Sequence, residues 1–454
     1  MSQSPRIQSI HVDGLFGLYD HSVNLTDERI TVIHGANGVG KTVFLKLING
    51  FLRARFFEAF NIPFREFNIR YDDGTAFRVT ASDIWPDKPD RELKISCKKD
   101  KNGEWSSFKR ITNQTPATFA KRMPYLSQIE PDLWIDQRTD ELVSTEELIS
   151  RIDDINPRLD SRLERDNKEA FEFCRRVTVH YIEAQRLFCF PKSIKRRRFI
   201  EEPPRSTANT VQEYSSDLRD RLGRAMTAYA TQSQELDQSF PSRLLQEDGG
   251  VFSVKELKLQ LGEIENERER LRRLGILDGG DMTGSMLPDT DRQLDNLPEK
   301  QRPVLSVYVR DTKEKLNVLK DLSNRIEILL DILNKKFSRK TISVSRQTGL
   351  NIRDENGRTI PVTALSSGEQ HEIVLLYDLL FRVEPNSLVL IDEPELSLHL
   401  AWQKSFLDEM SRIIELSKFD VLMATHSPYI VGNHTETLVE FSAESPRTEA
   451  EMAR

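Results

Sequence analysis

Residues Gly35-Ala36-Asn37-Gly38-Val39-Gly40-Lys41-Thr42 constrain this chain more than any other stretch. They match G-x-x-x-x-G-K-[ST] without deviation, between a β-branched run, Ile30 to His34, and a segment of helical apolar spacing, Val43 to Leu52. Strand, glycine loop and helix in that order outline a phosphate-binding unit. The glycines let the backbone N–H groups around Asn37, Gly38, Val39 and Gly40 face phosphate oxygens at a helix N-terminus. Lys41 adds a point charge for the β and γ positions of a nucleotide such as ATP, and Thr42 offers a hydroxyl to Mg²⁺. A glycine turn that merely precedes a helix is the plain alternative. Both flanks speak against it.

A second anchor lies far down the chain. Ser387 to Ile391 is a very apolar run that ends in Asp392-Glu393-Pro394. Successive side chains leave a strand on opposite faces, so Asp392 can serve the Mg²⁺ shell while Glu393 orients an attacking water. A helix cap is the bland reading of such a pair. Joint occurrence with the phosphate loop favours the chemical one. Between the two lies Leu365-Ser366-Ser367-Gly368-Glu369-Gln370, where Ser366 and Gly368 mark a helix start with free N–H groups. Taken alone, a capping serine explains that stretch.

Together these motifs resemble the ABC-type ATPases of the SMC, RecF and overcoming-lysogenization-defect branch. Leu365 to Gln370 is similar to their signature, Asp392 to His399 to their Walker B and D-loop, and Ala424-Thr425-His426-Ser427-Pro428 to their switch-histidine loop. The resemblance covers roughly residues 1–112 and 337–440. It implies that ATP lies between two copies joined head to tail, with Ser366 and Gly368 meeting the γ-phosphate of the other copy and His426 contacting it within its own site. Glu369 stands where transporters have Gln, which points away from transport. For the Q-loop, Gln185 in Tyr181-Ile182-Glu183-Ala184-Gln185-Arg186-Leu187 is the preferred Mg²⁺ and water contact, with Gln128 as rival and an ordinary surface glutamine as alternative. Arg186 can instead anchor that loop through a carboxylate.

The implied fold class is α/β: an ABC ATPase head with a P-loop α/β core and an antiparallel β-subdomain, plus a mainly helical insertion. Domain boundaries are placed at 1–112, 113–336 and 337–454. The antiparallel sheet is read from alternating runs around Asp73-Gly74 and Asn102-Gly103, the strongest short hairpin signals. The chain reads as helical from about 141 to 180, with a strand at Val177 to Ile182, and helical again over roughly 208–237, 252–275 and 298–335. No heptad runs unbroken for long, so a hairpin or bundle is expected, not a coiled-coil arm. The stripes Leu257, Leu259, Leu261, Ile264, Leu271 and Leu316, Leu319, Leu322, Ile326, Leu329, Leu330 either pack within one chain or form an oligomer or partner surface. Further strands are expected at Thr341 to Ser345, at Leu350 to Arg353 paired with Arg358 to Val362 around Asn356-Gly357, and at Val421 to Ala424, with helices over about 368–383 and Leu400 to Leu416.

The net charge of -7 does not favour nucleic acid, which leaves such contact to a local patch. Lys192 and Lys195 to Arg198 form a concentrated basic run, followed by Glu201-Glu202, and a solvated loop is its default reading. Three cysteines without metal-ligand spacing suit a reducing cytoplasm. No apolar run reaches the ~20 residues that cross a membrane, so no membrane partner is expected. The segments Gly14-Leu15-Phe16-Gly17-Leu18-Tyr19-Asp20-His21 and Ile182 to Leu187 resemble stand-alone ATPase subunits of bacterial anti-phage systems, the PARIS and Septu types. Such subunits form homo-oligomers that hold a separately encoded effector, often a nuclease. The alternative is a DNA-repair or chromosome-associated ATPase of the RecF or SMC kind.

Overall fold

The computed structural model describes residues 5–86, 88, 91–101, 103–108, 111–112, 125–130, 133–137, 141–144, 168–182, 207–246, 250–277, 294–295, 297–396 and 400–441. The chain forms two compact units, Met1–Phe190 with Val383–Arg454, and Pro191–Arg382.

The first unit begins with β1 (Ile7–Leu15), β2 (Tyr19–Asn24) and β3 (Ile30–Gly35), followed by α1 (Lys41–Leu52) and α2 (Phe56–Phe60). Then come β4 (Glu66–Tyr71), β5 (Ala76–Ala81), β6 (Glu92–Lys98), β7 (Trp105–Ser107) and β8 (Ile111–Thr112). These make an antiparallel sheet in the order β2-β1-β4-β5-β6-β7, with β8 also on β6. The hairpins expected around Asp73-Gly74 and Asn102-Gly103 are there. Next are β9 (Leu126–Glu130), β10 (Leu133–Asp136) and β11 (Glu141–Ser144), a small antiparallel sheet in a region read as mainly helical. Its strands are only four or five residues long, too short for alternation to stand out. Helix α3 (Lys168–Cys174) and β12 (Val179–Ile182) complete this stretch.

The second unit holds α4 (Thr207–Gln246), α5 (Val254–Arg273), α6 (Arg302–Asn317), α7 (Lys320–Lys336), the hairpin β13 (Lys340–Ser345) with β14 (Gly349–Asp354), and α8 (Ser367–Phe381). It is a bundle, and its apolar stripes are interior: Leu257, Leu261, Ile264 and Leu271 on α5 and Ile326 and Leu329 on α7 are buried, while Leu259 is 62% exposed. The hairpin differs from expectation. Leu350 to Arg353 pairs with the preceding strand, and the segment after Gly357 contributes one bridge, Arg353 to Thr359. Gly349 permits this, since φ is +76° and a Cβ there would stand 1.9 Å from the Ser215 carbonyl oxygen of α4.

A polar cluster ties α4 to α8. The Tyr214 hydroxyl donates to Asp378 at 2.7 Å, Arg382 Nη1 donates to the same hydroxyl oxygen at 2.7 Å, and the Tyr377 hydroxyl donates to Asp217 at 2.6 Å. Burial pushes the Asp378 carboxyl up to about 7, against the opposing donation from Tyr214 and charge of Arg382. A carboxyl whose folded pKa lies above its unfolded value stabilises most below the unfolded pKa and loses that contribution as pH rises through the folded one. Wild type should therefore lose stability relative to Asp378→Asn between about pH 4 and pH 7. Thermal melts of both proteins across that range check it, and a gap that stays constant with pH would refute it.

The chain then returns to the first unit with β15 (Leu388–Asp392), α9 (Phe406–Ser417), β16 (Asp420–Ala424) and β17 (Leu438–Phe441). The helix expected from Leu400 is broken into a short turn, Leu400–Gln403, and α9. Strands β12-β15-β16-β3-β17 form a parallel sheet. Every residue of β15 and β16 is buried, as both faces of a parallel sheet are covered, which is why these strands read as continuous apolar runs. The whole is α/β: a P-loop core sheet and an antiparallel subdomain in one unit, with a mainly helical second unit. Among the described residues, no helix is long and apolar enough to cross a membrane.

Candidate functional site

The parallel register sets the site. Asp392 lies opposite Ala424, and Ala424 opposite Ile33, so the C-terminal tips of β15, β16 and β3 are level. Ligand sites of open α/β sheets gather at that end. There β3 opens into the glycine loop, β15 delivers Asp392 and Glu393, and β16 delivers Thr425 and His426.

The loop's shape follows from its glycines. Gly38 and Gly40 have φ of +86° and +90°, and a Cβ on Gly40 would come within 2.7 Å of Leu15 Cδ2. Gly40 caps α1 with no side-chain hydrogen bond, which leaves the first-turn N–H groups to a ligand. Asn37 and Gly38 are exposed, whereas Val39 is buried. The Val39 carbonyl accepts from His21 Nε2 at 2.8 Å, and the His21 ring stacks on Phe441 with centroids 3.8 Å apart. His21 thus pins the loop from beneath. Nothing in its sequence setting marked it for that.

Lys41 is only 5% exposed. Its Nζ donates to the Gly35 and Ala36 carbonyls at 2.9 and 3.1 Å, and to His426 Nδ1 at 3.3 Å. With Nδ1 accepting, the imidazole hydrogen sits on Nε2, which faces Glu393 Oε1 at 3.8 Å. Burial and then the Lys41 charge hold the His426 pKa below its ordinary value. The Lys41 pKa is lowered as well, by burial, against the pull of Glu393, Glu395 and Asp392. Glu393 has φ of +46°, a left-handed backbone that costs a side-chain-bearing residue about 1–3 kcal/mol. Its N–H donates to the Ala424 carbonyl at 2.8 Å, which keeps that conformation in place.

The Thr42 hydroxyl donates to Asp392 Oδ1 at 3.0 Å, and the Tyr181 hydroxyl approaches Oδ2 at 3.4 Å. Burial raises the Asp392 pKa, and Glu393 adds to it while Thr42 and Tyr181 oppose. Among the described residues, no cluster of three or more His, Cys, Asp and Glu is able to hold a metal alone. One hydroxyl and one carboxylate side by side suit Mg²⁺, which takes few protein ligands and completes its shell with water and phosphate oxygens.

Tyr181 lies in β12, beside β15, and escaped the sequence reading. Gln185, three residues past that strand, lies outside the described residues. Its rival Gln128 lies within β9 opposite Trp134. In the second unit, Ser366 caps α8 with a reciprocal box: Glu369 N–H donates to its Oγ at 3.3 Å, and its own N–H donates to Glu369 at 2.9 Å. Lys340 Nζ donates to the same carboxylate at 2.6 Å. Although burial raises the Glu369 pKa, Lys340 and Ser366 bring it below the ordinary value. Ser366 is exposed and Gly368 half-buried.

A family described as "AAA domain, putative AbiEii toxin, Type IV TA system" matches residues 30–432. The chain belongs to this family. It is similar to the "Retron Ec83 probable ATPase" of Escherichia coli, with 28% identity over 159 residues, 33% of this chain. That match spans only 27% of the relative's length. Among solved structures it is similar to the Smc head domain with an extended coiled coil bound to the C-terminal domain of ScpA from Pyrococcus furiosus, at 13% identity and a TM-score of 0.34, covering 96% of this chain and 93% of that one. A second is the SmcHead bound to the C-winged helix domain of ScpA, at 10% identity and 0.34, covering 96% and 94%. Both scores are too low to bear on the fold.

Proposed function

We propose that this AAA-family protein binds ATP with Mg²⁺ and hydrolyses it as an oligomeric switch that controls a separate toxin or nuclease effector in anti-phage defence. One observation carries the chemistry: Lys41, Thr42, Asp392, Glu393 and His426 come together at the level tips of three adjacent parallel strands. Thr42 and Asp392 would hold Mg²⁺, with Gln185 as a further contact, and the bound ion would draw charge from the phosphate oxygens. The loop amides from Asn37 to Gly40 and the Lys41 ammonium bind the phosphates. Glu393 orients a water and accepts its hydrogen as the oxygen bonds to phosphorus and the bridging oxygen leaves. His426, kept neutral by burial and Lys41, donates from Nε2 toward the γ-phosphate.

Residues 1–112 and 337–454, with the Tyr181–Gln185 stretch, furnish the chemistry in this reading, and the rest of 113–336 offers the oligomer or effector surface. The exposed Ser366 and half-buried Gly368 serve the site of a second copy, so ATP joins protomers head to tail. The γ-phosphate contributes contacts to one state and none to the other, which makes hydrolysis a release. The defence setting is supported by the relative's name as a retron ATPase and by the toxin wording of the family description.

Turnover of ATP by the purified full chain, with and without chelator, tests the metal assignment, since turnover in excess chelator would remove Thr42 and Asp392 from that role. Co-purification with neighbouring gene products tests the effector. Toxicity of the chain expressed alone would make it the effector itself.

A further inference from the structure

We propose that Glu395 is a positioning residue that sets the placement of His426, a role that rests on the ATP-site reading above. Both of its carboxylate oxygens serve the turn that carries the histidine. Oε2 accepts from the Thr425 hydroxyl at 2.8 Å, and Oε1 accepts from the His426 backbone N–H at 2.6 Å. Bonds to an ionised acceptor are short and roughly twice as strong as neutral ones.

The rest of the turn is tied to the same residue by a second route. The Glu395 backbone carbonyl accepts from Gln403 Nε2 at 3.2 Å, and Gln403 Oε1 accepts from the Ser427 hydroxyl at 2.8 Å. The Ser427 N–H closes the loop onto Thr425 Oγ1 at 2.9 Å. Gln403 ends the short turn that breaks the expected Leu400 helix, so that break has a purpose: it turns an amide onto the Walker B segment. Thr425, His426 and Ser427 are thereby latched to a point two residues beyond Glu393.

Glu395 makes no hydrogen bond to the imidazole. The ring meets Lys41 at Nδ1 and faces Glu393 through Nε2, so its aim depends on where the backbone of residue 426 is held. A carboxylate with both oxygens engaged by the turn is also a poor water-orienting base, which separates its role from that of Glu393. Removing the latch lets the turn drift. A displacement near 1 Å costs a reaction about a hundredfold.

The test uses Glu395→Ala, Glu395→Asp and Glu395→Gln in the full chain, each alone and with His426→Ala. Glu395→Ala should lower kcat about tenfold to a hundredfold while ATP affinity stays within about threefold. The isosteric Glu395→Gln still accepts from His426 N–H and donates to Thr425, so its loss is smaller, and it carries the test if the alanine variant does not fold. On the His426→Ala background, replacing Glu395 should cost nothing further, because a residue acting through another has no effect once that other is gone. Amide exchange over residues 425–427 should quicken about tenfold in Glu395→Ala, whatever the turnover. Additive losses on the His426→Ala background, or unchanged exchange, would overturn the proposal. If exchange quickens but wild type neither binds nor hydrolyses ATP, the latch stands and the ATP-site reading falls.

Discussion

Lys41→Ala should abolish measurable ATP binding, whereas Glu393→Gln should bind ATP as wild type does and hydrolyse it at least about a hundredfold more slowly. The two variants part because the two groups do different work. The Lys41 ammonium is nearly buried and already makes charge-assisted bonds to two loop carbonyls, so it is preplaced for anionic oxygens. Losing such bonds costs about 3 kcal/mol or more, over a hundredfold in Kd. Glu393→Gln keeps the side chain's size and leaves the loop, Thr42 and Asp392 untouched. It removes only the carboxylate that takes a hydrogen from water. Isothermal titration and a phosphate-release assay measure the two effects separately. Wild-type turnover by the glutamine variant would take Glu393 out of its assigned role, and Glu395, engaged on both oxygens, is no ready substitute.

Mixing Lys41→Ala protein with Ser366→Arg protein should restore hydrolysis that neither has alone. In a head-to-tail pair, one of the two composite sites then joins an intact loop to an intact signature. Ser366 is suited to such damage because it is exposed and its capping contacts are local, so a bulky replacement blocks approach of a second copy. Losing the cap costs the helix about 1 kcal/mol, which a bundle of this size tolerates. Up to a quarter of wild-type turnover is expected, from the roughly half of random pairs that are mixed, each with one live site of two. Hydrolysis by exchanged mixtures no higher than that of the single variants would rule out the shared site.

How much of this was legible in sequence depends on how local the cause is. The glycine loop is written in the chain because only glycine tolerates φ near +90° beside Leu15. The strands leading to Asp392 and His426 are written there because a sheet covered on both faces needs unbroken apolar runs. The hairpin at Asp73-Gly74 announces itself by its turn. Other parts depend on partners distant in sequence. Tyr181 reaches Asp392 across 211 positions, and His21 reaches the loop only after the sheet has formed. Neither carries a mark of its own. The segment after Gly357 looked like a strand because it follows a good turn, and it does bond to the edge of β14 opposite β13, but only through Asp354 to Arg358 and Ile360 to Ile352 around the single bridge Arg353 to Thr359. β17 is four residues long and went unnoticed, although its Phe441 closes the stack over His21.

The 40-residue helix α4 has a mechanical consequence. At 1.5 Å per residue it runs as a rod of about 50 Å before Pro241. Near its first turns it is bolted to α8 through Tyr214 and Asp217. Its far portion carries α6, through Gln232 to Glu314 at 2.9 Å and Lys315 to Asp237 at 2.7 Å. A tilt of only about 5° at the bolted end sweeps the other end by roughly 4 Å, most of a helical turn. The helix that begins at Ser366 is therefore the short arm of a lever, and the α5–α6 pair is the load at the end of the long one.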